Sequence, residues 1–448
     1  MRKVLIIGAG RSSSTLIKYM LGNAQAEDWQ LTVCDLDEQL ARRKVAGHDR
    51  GTAALFDARN EELRRKLISS HDVVISMLPA SMHLEVVRDC LEFGKHVITP
   101  SYITKEIEAL DAPFREKGLI ALNEIGLDPG IDHLSAMKLL NEIREKGGDI
   151  KCFESFTGGL IAPESDNNPW GYKFTWNPRN VVVAGQGGVV QFKHGGRFKY
   201  IPYHKLFSRT ELIDIEGFGR FEGYANRDSL KYRESYGLKE VPTIYRGTLR
   251  RPGFCRAWNV LVQLGATDDS YVMEDVASMT YRQFINSFLA YNPYDSVELK
   301  LRAYLKMEHD DPAMELLQWL GLFENDPIGL EAATPAQILQ KRMEEKMSLE
   351  EGDRDMIVMW HKVGFLDGGE KREFNSSLVV LGEDQTHTAM SKTVGLPIGI
   401  AARHILNGNV NLRGALIPIQ PEIYIPVLKE LESLGMSFVE KEVPPNFV

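Results

Sequence analysis

Cysteine is scarce in this chain: its 448 residues include four, Cys34, Cys90, Cys152 and Cys255, far apart and with no Cys-x-x-Cys pair. Such spacing speaks against a zinc framework and a disulfide scaffold, and it fits a reducing, cytoplasmic setting. Long apolar runs are also missing. The start, MRKVLIIGAG, opens like a signal peptide, but glycines break it within a few residues, and nowhere do about 20 apolar residues follow one another. The expectation is a protein that is neither exported nor membrane-spanning. Positive charge is in deficit, with 53 Lys and Arg against 62 Asp and Glu and a formal charge of -9. That balance argues against a nucleic-acid surface and for small-molecule partners. Internal repeats and low-complexity tracts are absent.

What is present is an ordinary soluble composition whose length exceeds one usual core, so two or three domains are expected. From residue 3 to 125, short apolar runs alternate with amphipathic stretches: KVLIIG, LTVCD, TAALFD, DVVISML, KHVITP and GLIALNE. Residues 85–93 and 105–117 carry helical spacing. Six strands separated by helix-length segments predict an α/β fold with an N-terminal Rossmann-type, doubly wound parallel sheet. Beyond 150, CFESFTGGL, NVVVAGQGGVVQF and RFEGYAN read as strands of a second, mixed sheet. From 252 to 353 helical signals dominate, as in LKLRAYLKM and the Thr334-Pro335 start of PAQILQKRMEEKM. MIVMWHKVGF and SSLVVLG return to strand character, and TAMSKTVGLPIGIAARHIL reads as a helix.

The first strand runs into Gly8-Ala9-Gly10-Arg11-Ser12-Ser13 and then the helical STLIKYML. A Gly-x-Gly turn between strand and helix lets the backbone approach a pyrophosphate, whose charge the helix N-terminus stabilises. Asp35 ends the second strand, where a carboxylate can accept hydrogen bonds from an adenosine ribose, and this predicts NAD as the preferred cofactor. Arg11, Arg42 and Arg43 keep NADP open. Asp57 ends the third strand and could border the adenine. Ser76, Leu78 and Pro79 end the fourth and Ser101 and Tyr102 the fifth, on the edge where the nicotinamide half belongs. The predicted organisation is a dinucleotide-binding domain over 1–130, on which a helix near 388–407 packs back. A second α/β domain is expected over 131–251 and 354–387, a helical insert over 252–353 and a C-terminal segment over 408–448.

NEIGLDPGIDH crowds Glu124, Asp128, Asp132 and His133 around a Pro-Gly pair directly after the sixth strand. Helix capping explains it simply, with Asp128 as N-cap, Pro129 in the first turn and Ile131, Leu134, Met137 and Leu140 on a buried face. Its place at the cofactor edge lets capping and chemistry coexist. His133 reads as a satisfied core histidine, and His83 as a helix-start residue or proton shuttle.

Taken in order, NEIGLDPGIDH, GGLIAPESDNNPWGYKFTW, YANRDS, RGTLR and AMSKTVGLP resemble the glutamate-forming saccharopine dehydrogenases, also called saccharopine reductases. The resemblance runs from the glycine loop almost to the C-terminus. It implies reversible, nicotinamide-dependent conversion of saccharopine to L-glutamate and 2-aminoadipate 6-semialdehyde in lysine metabolism, and a substrate-binding role for the second domain. A homodimer is compatible with it. Tyr102 and Asp128 match polar residues beside the substrate amine, and Arg227, Thr248, Leu249 and Arg250 match substrate contacts. Ser101, Leu127, Pro129 and Asn177 match positions that line the cofactor. Thr157 stands where many members have cysteine, Ser13 and Arg11 alter the glycine loop, and Asp35 departs from the neutral or basic residue of NADP-dependent fungal members.

Saccharopine carries three carboxylates and a secondary amine that is protonated near neutral pH, so a site for it needs proton-moving groups and cations, but no metal or covalent nucleophile. Asp128 and Tyr102 are the candidate catalytic residues. Arg227 and Arg250 suit bidentate carboxylate binding, with Lys173 as a third cation. Two rivals share the cofactor domain: a carboxynorspermidine-type dehydrogenase, and a non-catalytic dinucleotide-sensing protein.

Overall fold

In the computed structural model, which describes residues 1–186 and 188–447, the six N-terminal apolar runs are six strands. They are β1 (Arg2–Ile7), β2 (Trp29–Asp35), β3 (Gly51–Leu55), β4 (Val73–Ser76), β5 (His96–Ile98) and β6 (Ile120–Leu122). Between them lie α1 (Ser14–Asn23), α2 (Glu38–Val45), α3 (Glu61–Ser69) and α4 (His83–Phe93). The 105–117 stretch forms two short helices, α5 (Lys105–Glu108) and α6 (Asp111–Glu116), where one was expected. Pro113 falls in the first turn of the second, the position at which its missing N–H is tolerated. All strand pairs are parallel, in the order β6-β5-β4-β1-β2-β3, and Gly414–Leu416 adds a parallel seventh strand beside β6. Val4, Leu5, Ile6 and Ile7 are fully buried, as a strand covered on both faces requires.

The chain divides into two compact units, Met1–Ile150 with Phe365–Val443, and Lys151–Gly364 with the C-terminal residues from Pro444. In the first, α7 (Ile131–Glu145) follows the sheet, and the helix Ala389–Leu406 packs on α1. Ser391 Oγ of that helix accepts from Thr15 N at 2.9 Å. The capping expectation for Asp128 is not met. α7 starts at Ile131 after Gly130, and the Asp128–Pro129 bond is cis.

In the second unit β7 (Asp149–Ile161) pairs in parallel with β12 (Thr243–Arg250), which continues antiparallel to β11 (Gly219–Ala225) and then β10 (Thr210–Ile215). The hairpin β8 (Val190–His194) and β9 (Arg197–Ile201) attaches to β12, and β13 (Asp355–Asp367) lies on the far side of β7. This is the mixed sheet read from the sequence, with one correction. NVVV is the end of a short helix, α8 (Pro178–Val182), because Asn177 caps it and Pro178 opens it. The helices Phe254–Leu264, Tyr281–Ser287, Val297–Leu305, Ala313–Trp319 and Pro335–Met347 follow, the last with a Thr334/Gln337 capping box. No helix among the described residues is long and apolar enough to cross a membrane.

Candidate active site

The turn after β1 is tight enough to require glycine. Gly8 has a φ of 104°, and a Cβ there would sit 3.0 Å from Met77 O. Gly10 has open space around it, with no atom within 4 Å of a Cβ position. The chain then turns through Arg11–Ser13 into α1, where Ser13 N donates to Gly10 O at 3.2 Å and Thr15 N to Ser391 Oγ, which leaves the open face of the turn at Gly10. This cradle fits the pyrophosphate of a dinucleotide.

Asp35 is turned toward the loop: Oδ2 accepts from Ala9 N at 2.7 Å and Oδ1 from Asp37 N at 3.0 Å. The cations around it divide into tied and available. Arg42 is paired with Glu38, and Arg43 lies 3.8 Å from Asp37. Arg11 is exposed. Lys44 donates to Gly10 O and, at 2.7 Å, to Ser14 Oγ, and burial brings its pKa down to about 8 against the opposing pull of Asp35. Sequence reading missed Lys44; its only signal was its place last in the Arg-Arg-Lys run. Asp57, the expected adenine neighbour, is held by Arg59 at 3.1 Å, which keeps its carboxyl below the usual range.

At the C-terminal ends of β4 and β5 the hydroxyls converge on one imidazole. His83 Nδ1 lies 2.9 Å from Ser76 Oγ, and Nε2 lies 2.7 Å from Ser101 Oγ and 3.1 Å from Thr99 Oγ1. Burial holds the His83 pKa down at about 4, so the ring is neutral at ordinary pH. Leu78, two residues after Ser76, is half-buried, and so is Tyr102, next to Ser101.

The loop carrying Asp128 folds back on itself. Gly126 N donates to Pro129 O at 2.9 Å and Ile131 N to Gly126 O at 2.9 Å. A Cβ on Gly130, whose φ is 149°, would lie 2.0 Å from Gly126 O, so no other residue fits there. Leu127 and Pro129 are buried on either side, and Asp128 between them is half-buried. The next helix takes its N-terminal hydrogen bond from Asp132, whose Oδ1 accepts from Gly130 N at 2.6 Å.

In the second unit, register aligns Thr248 with Tyr224 on one neighbouring strand and Thr157 on the other, so the three share one face of the sheet. Arg250, two residues on, shares that face, while fully buried Leu249 points away and approaches Gly158. Arg250 is 4% exposed. Its Nη1 donates to Leu249 O at 2.9 Å, and its guanidinium lies 5.1 Å from the Tyr172 ring and 5.3 Å from Phe254. Its Nε has no partner, nor does Thr157 Oγ1, and among the described residues no carboxylate comes within ion-pair distance of Arg250.

Arg227 sits apart from that row, exposed and with a φ of 46°, in the turn after β11. Asn177 is exposed and uses its side chain to accept from Arg179 N. Lys173 is not an available cation: it is buried against Asp353 at 2.6 Å. Among the described residues, no group of three or more His, Cys, Asp and Glu is placed to hold a metal.

Two family models match the chain, the saccharopine dehydrogenase NADP binding domain over residues 4–122 and the saccharopine dehydrogenase C-terminal domain over 126–436. The chain belongs to the saccharopine dehydrogenase family. A saccharopine dehydrogenase [NADP(+), L-glutamate-forming] of Schizosaccharomyces pombe is 32% identical over 98% of this chain and 99% of its own length. The mitochondrial alpha-aminoadipic semialdehyde synthase of Bos taurus is 31% identical over 98% of this chain but 47% of its own. Among solved structures, the apo saccharopine dehydrogenase (L-Glu forming) of Saccharomyces cerevisiae superposes with a TM-score of 0.88 at 31% identity, covering 99% of this chain and all of that one.

As a member of the saccharopine dehydrogenase family the chain is an oxidoreductase with a nicotinamide dinucleotide as cofactor. The matched family description and the Schizosaccharomyces pombe relative favour NADP over the NAD expected from Asp35. The geometry supplies a reason for the discrepancy: Asp35 uses both oxygens on backbone amides of its own fold.

Proposed function

We propose that the chain catalyses the reversible, NADP-linked oxidation of saccharopine, with water, to L-glutamate and 2-aminoadipate 6-semialdehyde. The observation that carries this reading is Arg250, a buried guanidinium among aromatic rings without a carboxylate of its own. An unpaired buried cation is costly, and a substrate carboxylate would satisfy it with a charge-assisted bond. Saccharopine offers three.

The bound dinucleotide supplies the hydride acceptor. The chain's own residues then have two tasks. Arg250, Thr248 and Arg227 bind carboxylates and fix the substrate carbon, while Asp128 and Tyr102 hold or move protons at the secondary amine. That nitrogen must lose its proton before hydride can leave the adjoining carbon. The imine so formed takes up water and expels glutamate, which requires a second proton transfer. For the cofactor, Arg11 and Lys44 stand at the glycine loop and have no ion-pair partner among the described residues, and they support acceptance of the 2′-phosphate of NADP.

The test is to mix purified protein with saccharopine and either dinucleotide, following reduced nicotinamide and assaying L-glutamate. Production of both, faster with NADP, is expected. Absence of turnover in protein that still binds dinucleotide overturns the reading.

A further inference from the structure

Tyr102 has no helix or strand around it, since residues 100–103 form none. Its neighbours on both sides are nevertheless held by buried polar groups that the chemistry above leaves unused. Before it, Ser101 Oγ meets His83 Nε2 at 2.7 Å, and His83 Nδ1 meets the fully buried Ser76 Oγ at 2.9 Å. After it, Ile103 N donates to Glu124 Oε1 at 2.9 Å, and Glu124 Oε2 lies 2.8 Å from His133 Nε2. The Glu124 amide also donates to Ser101 O at 3.1 Å. His83 is 2% exposed, and Glu124 and His133 are 0% exposed.

These contacts are rigid for physical reasons. A neutral imidazole donates from one nitrogen and accepts at the other, so one serine hydroxyl points at the ring while the other accepts from it. Breaking the Nδ1 contact would leave the buried Ser76 hydroxyl unpaired, and Nε2 is held between Ser101 and Thr99 Oγ1. His83 rises from the start of α4 and Glu124 from the chain just after β6, so two separately anchored elements grip one short irregular segment.

We propose that His83 and Glu124 are positioning residues that clamp the segment from Ser101 to Ile103 and so keep the Tyr102 hydroxyl in one place. The inference rests on the reading of Tyr102 as a group beside the substrate amine. Misplacing such a group by even about 1 Å can cost up to roughly a hundredfold in rate.

The experiment compares His83→Ala, His83→Gln, Tyr102→Phe and the double variant His83→Ala/Tyr102→Phe. In His83→Ala, amide hydrogen exchange over residues 101–104 should speed up in the protein without substrate, and kcat/KM for saccharopine should fall about tenfold or more. His83→Gln, which can still offer a hydrogen bond to Ser101, should recover most of that loss. In the Tyr102→Phe background, His83→Ala should cost much less than it does alone. Unchanged exchange in a folded His83→Ala protein, or costs that simply add, overturns the clamp. Wild-type turnover in Tyr102→Phe overturns the reading of Tyr102 instead, and leaves the exchange result standing. If His83→Ala does not fold, Glu124→Ala, which removes the acceptor for Ile103 N, carries the same exchange measurement, with faster exchange at Ile103 expected and unchanged exchange overturning the proposal.

Discussion

The Asp35 carboxylate accepts a 2.7 Å hydrogen bond from the Ala9 amide, which ties the end of β2 to the middle of the glycine loop. With Oδ1 on Asp37 N, the same group also sets the start of α2. Asp35 is thus an anchor of the glycine loop, and this gives it a different mutational signature from a ribose ligand.

Asp35→Asn loses one of the two amide acceptors and lets the loop relax, so affinity for NAD and NADP should fall together, by about tenfold for a hydrogen bond worth about 1.5 kcal/mol. Dissociation constants for both dinucleotides, measured by fluorescence quenching, check this. A loss confined to NAD would restore the ribose-ligand role.

Lys44 supplies a pH dependence. Its pKa in the folded protein is lowered to about 8 because burial penalises the charged form. The cation is therefore present below pH 8 and lost above it, so NADP should bind more weakly as pH rises from about 7 to about 9. Stability follows the opposite sign: between about 8 and the ordinary lysine value the unfolded chain binds more protons, and folding gains with rising pH. Lys44→Met should flatten the NADP affinity profile over this range. A profile as steep as wild type would assign the dependence to another group.

Arg250→Met separates binding from stability. The saccharopine KM should rise by at least about thirtyfold, the lower end of the 2 to 5 kcal/mol cost of removing one partner of a buried charged contact. The free protein should melt at the same temperature or higher, because an unpaired buried cation is replaced by a shape-compatible apolar chain. A lower melting temperature with an unchanged KM would make Arg250 a structural residue.

Asp128→Asn should lower turnover by roughly a hundredfold, the size of a proton-transfer contribution, with little change in thermal stability. The stability half follows from the position of α7, which starts beyond Asp128 and takes its N-terminal hydrogen bond from Asp132. Near-wild-type turnover with reduced stability would return Asp128 to a structural role.

The amino-acid sequence by itself determined the first six strands of the parallel sheet, because short apolar runs alternate there with helix-length amphipathic segments, whereas the seventh, Gly414–Leu416, was not expected. It also determined the helix at Pro335–Met347, where Thr334, Pro335 and Gln337 carry the start signal within four residues. The glycine loop was legible for the same reason, and family membership from the order of five motifs.

Only the tertiary structure decided matters that depend on distant partners. Asp128 before Pro129 has the local form of a cap, yet the close approach of Gly130 to Gly126 moves the helix start beyond it. Lys173 and Arg250 look alike as isolated cations in sequence. Asp353, 180 positions away, takes the first, and nothing comparable reaches the second. Asp35 likewise shows its charge in sequence but not its direction, which the amide of Ala9 fixes across two strands. Local hydrogen bonding and periodicity are written in neighbouring residues, whereas charge pairing in a folded interior is settled by which side chains the packed sheets bring within a few ångströms.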